Sequence, residues 1–197
     1  MLITARHRID ESHGVSHSMN VLHFAHNIYN DELPKHPELG SHERLIYVSA
    51  IIHDMCDKKY MNEKEGITEI EEYLGDKLTS LEIDTTKQIV STMSYSTVKK
   101  NGFPDLGIYM PAYHIVRESD LLSAYDFDRS MIYHMYNNGS TTEQAFIDAK
   151  ELFQKRVFKH DKDGLFTTNY AKRYYPYLLS KSLSRMNAWE RMLTKKF

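Results

Sequence analysis

Histidine and aspartate stand at several points of this chain where they could share a cation. His53 and Asp54 are adjacent and close an apolar stretch, Leu45-Ile46-Tyr47-Val48-Ser49-Ala50-Ile51-Ile52. An imidazole beside a carboxylate at the edge of a core is costly to bury without partners, and both groups are competent ligands. The dipeptide alone carries little. A second one, His160-Asp161, sits in the polar stretch Lys159 to Gly164 and reads as a helix terminus and turn. Adjacent residues on a helix diverge by roughly a third of a turn, so both members face one cation only near a helix end or around a ligand from a crossing helix. Asp57 returns a further carboxylate to the neighbourhood, four residues after His53. His13 and His17 lie at i, i+4 and share a helix face, a spacing that suits two ligands, or one ligand and one substrate contact. Asp120 is flanked by Val116, Leu121, Leu122 and Ala124. Taken alone, it is best explained as an i, i+3 partner of Arg117. Six further histidines, His7, His23, His26, His36, His42 and His134, have no partner at a diagnostic spacing and read as surface or half-buried side chains.

The elements that must position these groups are helices. Residues 13–29 carry Val15, Met19, Val21, Leu22, Ala25 and Ile28 at helical spacings. The polar, proline-containing segment 30–40 interrupts, and Ser41 reads as an N-cap with Glu43 in the first turn of the helix that runs into His53-Asp54. Further helices are predicted at about 62–74, 83–95, 108–124, 126–137, 141–158 and 168–194. The breaker-rich loop Asn101-Gly102-Phe103-Pro104-Asp105 separates two of them. Asn137-Asn138-Gly139 separates two more, and Ser140-x-x-Glu143 reads as a capping box. Strand alternation is scarce, and no repeat or long linker divides the chain. The reading is one all-α domain over 1–197, with a core of about 10–130 and a helical extension of about 131–197.

Bulk properties narrow the function classes. A chain of 197 residues with a formal charge of −2 has no general pull toward nucleic acid or anionic membrane. Its longest apolar run, eight residues, is far too short to span a bilayer. The single cysteine, Cys56, excludes an intramolecular disulfide and fits a reducing compartment, so a cytoplasmic location is expected. Lys172-Arg173-Tyr174-Tyr175-Pro176-Tyr177 mixes cations with aromatics, as some single-strand nucleic-acid surfaces do. Leu178, Leu179, Leu183 and Met186 at helical spacing favour a packed amphipathic helix there, and nucleic acid is not an expected partner.

The order of histidine, apolar helix ending in His-Asp, and aspartate in a later apolar helix resembles the HD-domain phosphohydrolase superfamily. The resemblance rests on three segments: Asp10 to Val21, Ala50 to Tyr60, and Glu118 to Ala124. It implies a helical bundle around one or two divalent cations, with ligands on His17, His53, Asp54 and Asp120. This mixed nitrogen and oxygen set suits manganese, iron, nickel, cobalt or magnesium. The implied activity is hydrolysis of a nucleotide or other small phosphate ester by a metal-activated water. Asp57 would act as general acid or base, and Lys58 would contact phosphate oxygens, although Lys58 also reads as an ordinary solvated lysine. His13 and Arg129 are further candidates for substrate contact. The pattern His-Asp-x-x-Asp-Lys-Lys is similar to small members that cleave nucleoside triphosphates to monophosphate and pyrophosphate. Ser119, Leu121 and Ser123 depart from that group's more acidic last motif, which leaves the substrate class open. The alternative is a catalytically inactive HD-fold module that binds a phosphorylated ligand. Oligomeric state is not legible.

Overall fold

The computed structural model describes residues 14–56 and 63–194 and contains no strand among them. Nine helices follow in order: α1 Val15–Glu32, α2 Glu43–Ile52, α3 Glu63–Leu74, α4 Ser80–Thr92, α5 Tyr95–Asn101, α6 Met110–Ser123, α7 Phe127–Asn138, α8 Thr142–Lys155 and α9 Asn169–Thr194. The fold is all-α, as the hydrophobic spacing predicts.

Three helices make the centre. α1 lies along both α6 and α2, and α2 also lies along α6. Each presents a stripe with helical period. On α1 it is Val21, Ala25 and Ile28, all with no solvent exposure; on α2 it is Ile46, Ser49 and Ala50; on α6 it is Ala112, Ile115, Val116 and Ser119. Burying an aliphatic side chain such as Ile28 contributes about 1.5–3 kcal/mol, so the register of the three helices is strongly set. Polar residues continue each stripe by one turn at a shared end. His17 precedes Val21 by four residues, His53 follows Ala50 by three, and Asp120 follows Val116 by four.

Of the segment expected as an extension, 131–197, the described residues 131–194 share the same core. Met131, Phe146, Phe153, Leu165, Ala171 and Met186 join Ile28, Ile46 and Ile115 in one continuous apolar cluster. Phe127 holds Phe146 and Phe153 edge to face, with centroids at 5.8 and 5.2 Å. On α9, Met186 is buried and Leu178 and Leu179 are half-buried, whereas Leu183 faces solvent. Tyr174 packs edge-on to Phe24, Tyr175 stacks on Phe166, and Arg173 pairs with Asp31.

Several boundaries differ from the sequence expectation, each for a local reason. Ser41 does not cap α2; its hydroxyl donates to the Glu38 carbonyl at 2.8 Å within a 3₁₀ turn, Pro37–Ser41, and His42 takes the N-cap position. The helix expected at 83–95 is two helices. Thr79 and Glu82 form a reciprocal capping box that starts α4 at Ser80, and Ser94 accepts from the Thr97 N–H to start α5. The cap of α8 is Thr141, accepting from the Gln144 N–H, one residue later than Ser140. Gly139 does end α7, in the left-handed conformation at φ 61°.

Candidate metal centre

The shared end of α1, α2 and α6 brings together the four residues that the resemblance singles out. His17 on α1 and His53, in the 3₁₀ turn His53–Cys56 after α2, place their Nε2 atoms 3.1 Å apart. The Asp54 Oδ2 lies 3.4 Å from His17 Nε2 and 3.2 Å from His53 Nε2. The Asp120 Oδ1 lies 3.6 and 3.7 Å from the same two nitrogens. His17 and His53 are 4% and 6% exposed, so the imidazoles are walled in by the bundle. The adjacency problem of His53 and Asp54 is resolved by the change from α-helix to 3₁₀ turn at His53, which lets neighbouring side chains reach one point. Asp120 does not pair with Arg117; Arg117 donates to Glu118 instead, at 2.9 Å.

The charges are strongly coupled. Burial pushes His17 below the ordinary imidazole value, and the nearby Arg129 guanidinium adds to that against the pull of Asp54. Burial also acts downward on His53, but the carboxylates of Asp54 and Asp120 overcome it and lift the ring to about 9. Burial raises Asp54, yet the two imidazoles bring it well below the usual carboxylate range. Asp120 is lowered in the same way, with help from Arg129. Two ionised carboxylates, themselves partly exposed, thus face two buried imidazoles, a setting that favours an added positive charge.

The donor set fits a divalent cation. His17, His53 and Asp120 each offer a ligand atom within 4.8 Å of the others. Asp54 Oδ2 is buried and makes no hydrogen bond, although it is near both Nε2 atoms. Its distances to the two nitrogens, 3.4 and 3.2 Å, are those of an ion pair. Ligands held at about 2.1 Å from one ion stand about 3.0–3.4 Å apart at octahedral or tetrahedral angles, close to the separations seen here. Two nitrogens with carboxylate oxygens form a mixed donor set that a divalent cation can accept.

The contacts of the two imidazoles to Ala50 and Ser123 were not singled out from sequence, whereas Arg129 was. His53 Nδ1 donates to the Ala50 carbonyl at 2.8 Å. His17 Nδ1 meets the Ser123 hydroxyl at 3.4 Å. Arg129, half-buried in the first turn of α7, stands close enough for its charge to act on His17 and Asp120. His13, Asp57 and Lys58 lie outside the described residues. Comparison of the chain with protein-family models, curated proteins and solved structures finds no match.

Behind the site, α6 is anchored by a buried ion pair. Glu118 has no exposure and Arg117 has 1%. The Glu118 carboxylate accepts from the Thr167 N–H and hydroxyl at 2.8 and 2.6 Å, and from the Thr168 N–H and hydroxyl at 3.1 and 2.7 Å. Glu32 accepts from the Asn169 N–H at 3.1 Å. Two carboxylates thus hold the start of α9, where free N–H groups and the helix dipole favour negative charge. The Arg117 guanidinium lies 4.7 Å from the Phe103 ring centroid, which ties the loop after α5 to the same helix. No membrane-length apolar helix occurs among the described residues.

Proposed function

We propose that this chain is a divalent-metal-dependent phosphohydrolase of the HD-domain type, acting on a nucleotide or another small phosphate ester. The observation that supports the reading most is the convergence of His17 Nε2, His53 Nε2, Asp54 Oδ2 and Asp120 Oδ1, all within 3.1–3.7 Å of an imidazole partner. A divalent cation on these four groups would supply an acidified water and polarisation of a phosphoryl oxygen. The chain's own residues do the remaining work in this reading. The aliphatic stripes of α1, α2 and α6 exclude water from the far side of the ligands. Arg129 supplies a cationic donor to non-reacting phosphate oxygens, and Lys58 and His13 are assigned the same kind of contact. Asp57 is assigned proton transfer between the attacking water and the leaving oxygen.

The test is metal analysis of the purified protein followed by turnover of a nucleotide and phosphomonoester panel, with and without manganese, cobalt or magnesium. The reading requires near-stoichiometric metal, metal-dependent phosphate or pyrophosphate release, and loss of turnover in His53→Ala and Asp54→Ala. Stoichiometric metal with no turnover on any substrate, together with thermal stabilisation by phosphate ligands, would instead establish a binding module. Absence of both metal and turnover would remove the proposal.

A further inference from the structure

Ser123 closes α6 with 2% exposure and has two polar neighbours. Its hydroxyl donates to the Asp120 carbonyl at 2.8 Å, and its other contact is His17 Nδ1 at 3.4 Å. A hydroxyl has one proton and two lone pairs. With the proton committed to the shorter contact, a lone pair faces the imidazole, and the hydrogen bond runs from His17 Nδ1–H to Ser123 Oγ. A neutral imidazole carries one N–H, so Nε2 is then a bare lone pair. Nε2 is the His17 atom that stands 3.1 Å from His53 Nε2, 3.4 Å from Asp54 and 3.6 Å from Asp120. On the other imidazole the same selection is made by the main chain, because the Ala50 carbonyl at 2.8 Å can only accept.

We infer that Ser123 is a positioning residue for the metal centre: it selects the Nδ1–H tautomer of His17 and holds the ring so that Nε2 is the ligating atom. The inference rests on the metal-site reading above and assigns this chain's own second contact to it. The two imidazoles are thereby oriented by different means. His53 depends on a backbone carbonyl that no substitution removes, whereas His17 depends on a side chain that can be changed. The same hydroxyl binds the main chain of Asp120, so one side chain joins a ligand from α1 to the helical turn that carries a ligand from α6. A serine hydroxyl bonded to the i−3 carbonyl is satisfied without an imidazole, so a purely structural serine would not set the orientation of His17.

The test compares the wild type, Ser123→Ala and Ser123→Thr by titration with cobalt(II), followed by absorption, and with manganese(II). Outer-shell partners of ligating histidines typically change metal affinity about 10–100-fold. Ser123→Ala should therefore bind at least tenfold more weakly, and Ser123→Thr, which keeps the hydroxyl, should recover most of the loss. Nitrogen-detected NMR of the metal-free wild type should show His17 protonated on Nδ1, a measurement that stands even if Ser123→Ala does not fold. Wild-type affinity in Ser123→Ala, or a His17 proton on Nε2 in the native protein, overturns the inference and leaves the metal site intact. A wild type that binds neither ion overturns both.

Discussion

The Nε2 atoms of His17 and His53 meet at 3.1 Å across 36 residues of chain. Nothing local brings them there. The contact exists because the apolar stripes of α1 and α2 lie against each other and each stripe ends, at the same end of the bundle, in an imidazole. Two such rings and two carboxylates are stable together only when their charges are balanced, and this gives the first prediction.

Metal should contribute directly to stability. A ligand present at a hundredfold excess over its Kd adds about 2.7 kcal/mol to unfolding. Manganese or cobalt should raise the melting temperature of the wild type in a concentration-dependent way, and a chelator should reverse it. Asp120→Asn should flatten that dependence. A melting temperature that ignores both metal and chelator would count against the site.

Loss of Glu118 should be far more damaging than its sequence context suggests. Glu118→Ala leaves the Arg117 guanidinium buried without its carboxylate and frees the backbone N–H groups at the start of α9. Removing one partner of a buried pair costs about 3–5 kcal/mol. Urea unfolding should show a loss of that order. The double variant Arg117→Met/Glu118→Gln should recover part of it, since no uncompensated charge remains.

The caps provide a finer comparison. Thr141→Ala removes the acceptor for the Gln144 N–H and should destabilise by about 1 kcal/mol, whereas Ser140→Ala should change stability little. Equal effects at the two positions would return the cap to Ser140.

His160 predicts a pH dependence. Its ring is fully buried against Tyr95, Tyr125 and Phe166, and burial, reinforced by Arg156 and Arg117 against Asp120 and Asp163, holds it down at about 3. Its folded value is below the unfolded one, near 6.5. The stabilisation is therefore complete above the unfolded value and is lost as pH falls toward 3, at up to about 1.4 kcal/mol per pH unit. His114, lowered to about 4 by burial and by Arg117, acts in the same direction. Unfolding free energy measured from pH 7 to pH 4 should fall less steeply in His160→Phe than in the wild type. Parallel curves would show that His160 is not the titrating group.

Legibility from sequence followed the range of the interactions. His53 and Asp54 stood out because they close an apolar helical stripe, a pattern written within a few residues, whereas His17 and Asp120 were singled out as ligands by the family resemblance, Asp120 alone reading as a partner of Arg117. Ser123 was visible only as a departure from a family motif, since its partner lies 106 residues away on α1. Glu118 resembles an ordinary surface acid beside an arginine until α9 arrives to place Thr167 and Thr168 on its carboxylate. His160 sits in a stretch so polar that only the aromatic rings brought from other elements explain its burial.

By itself the sequence determined the helical class, the apolar faces and the chemical types available at their ends. Those depend on periodicity and local capping, which act over a few residues. The tertiary structure alone decided which ends meet, which carboxylate faces the imidazoles and which anchors α9. Those choices depend on how stripes from distant helices pack, and a buried polar group acquires its role only from the partners that packing delivers.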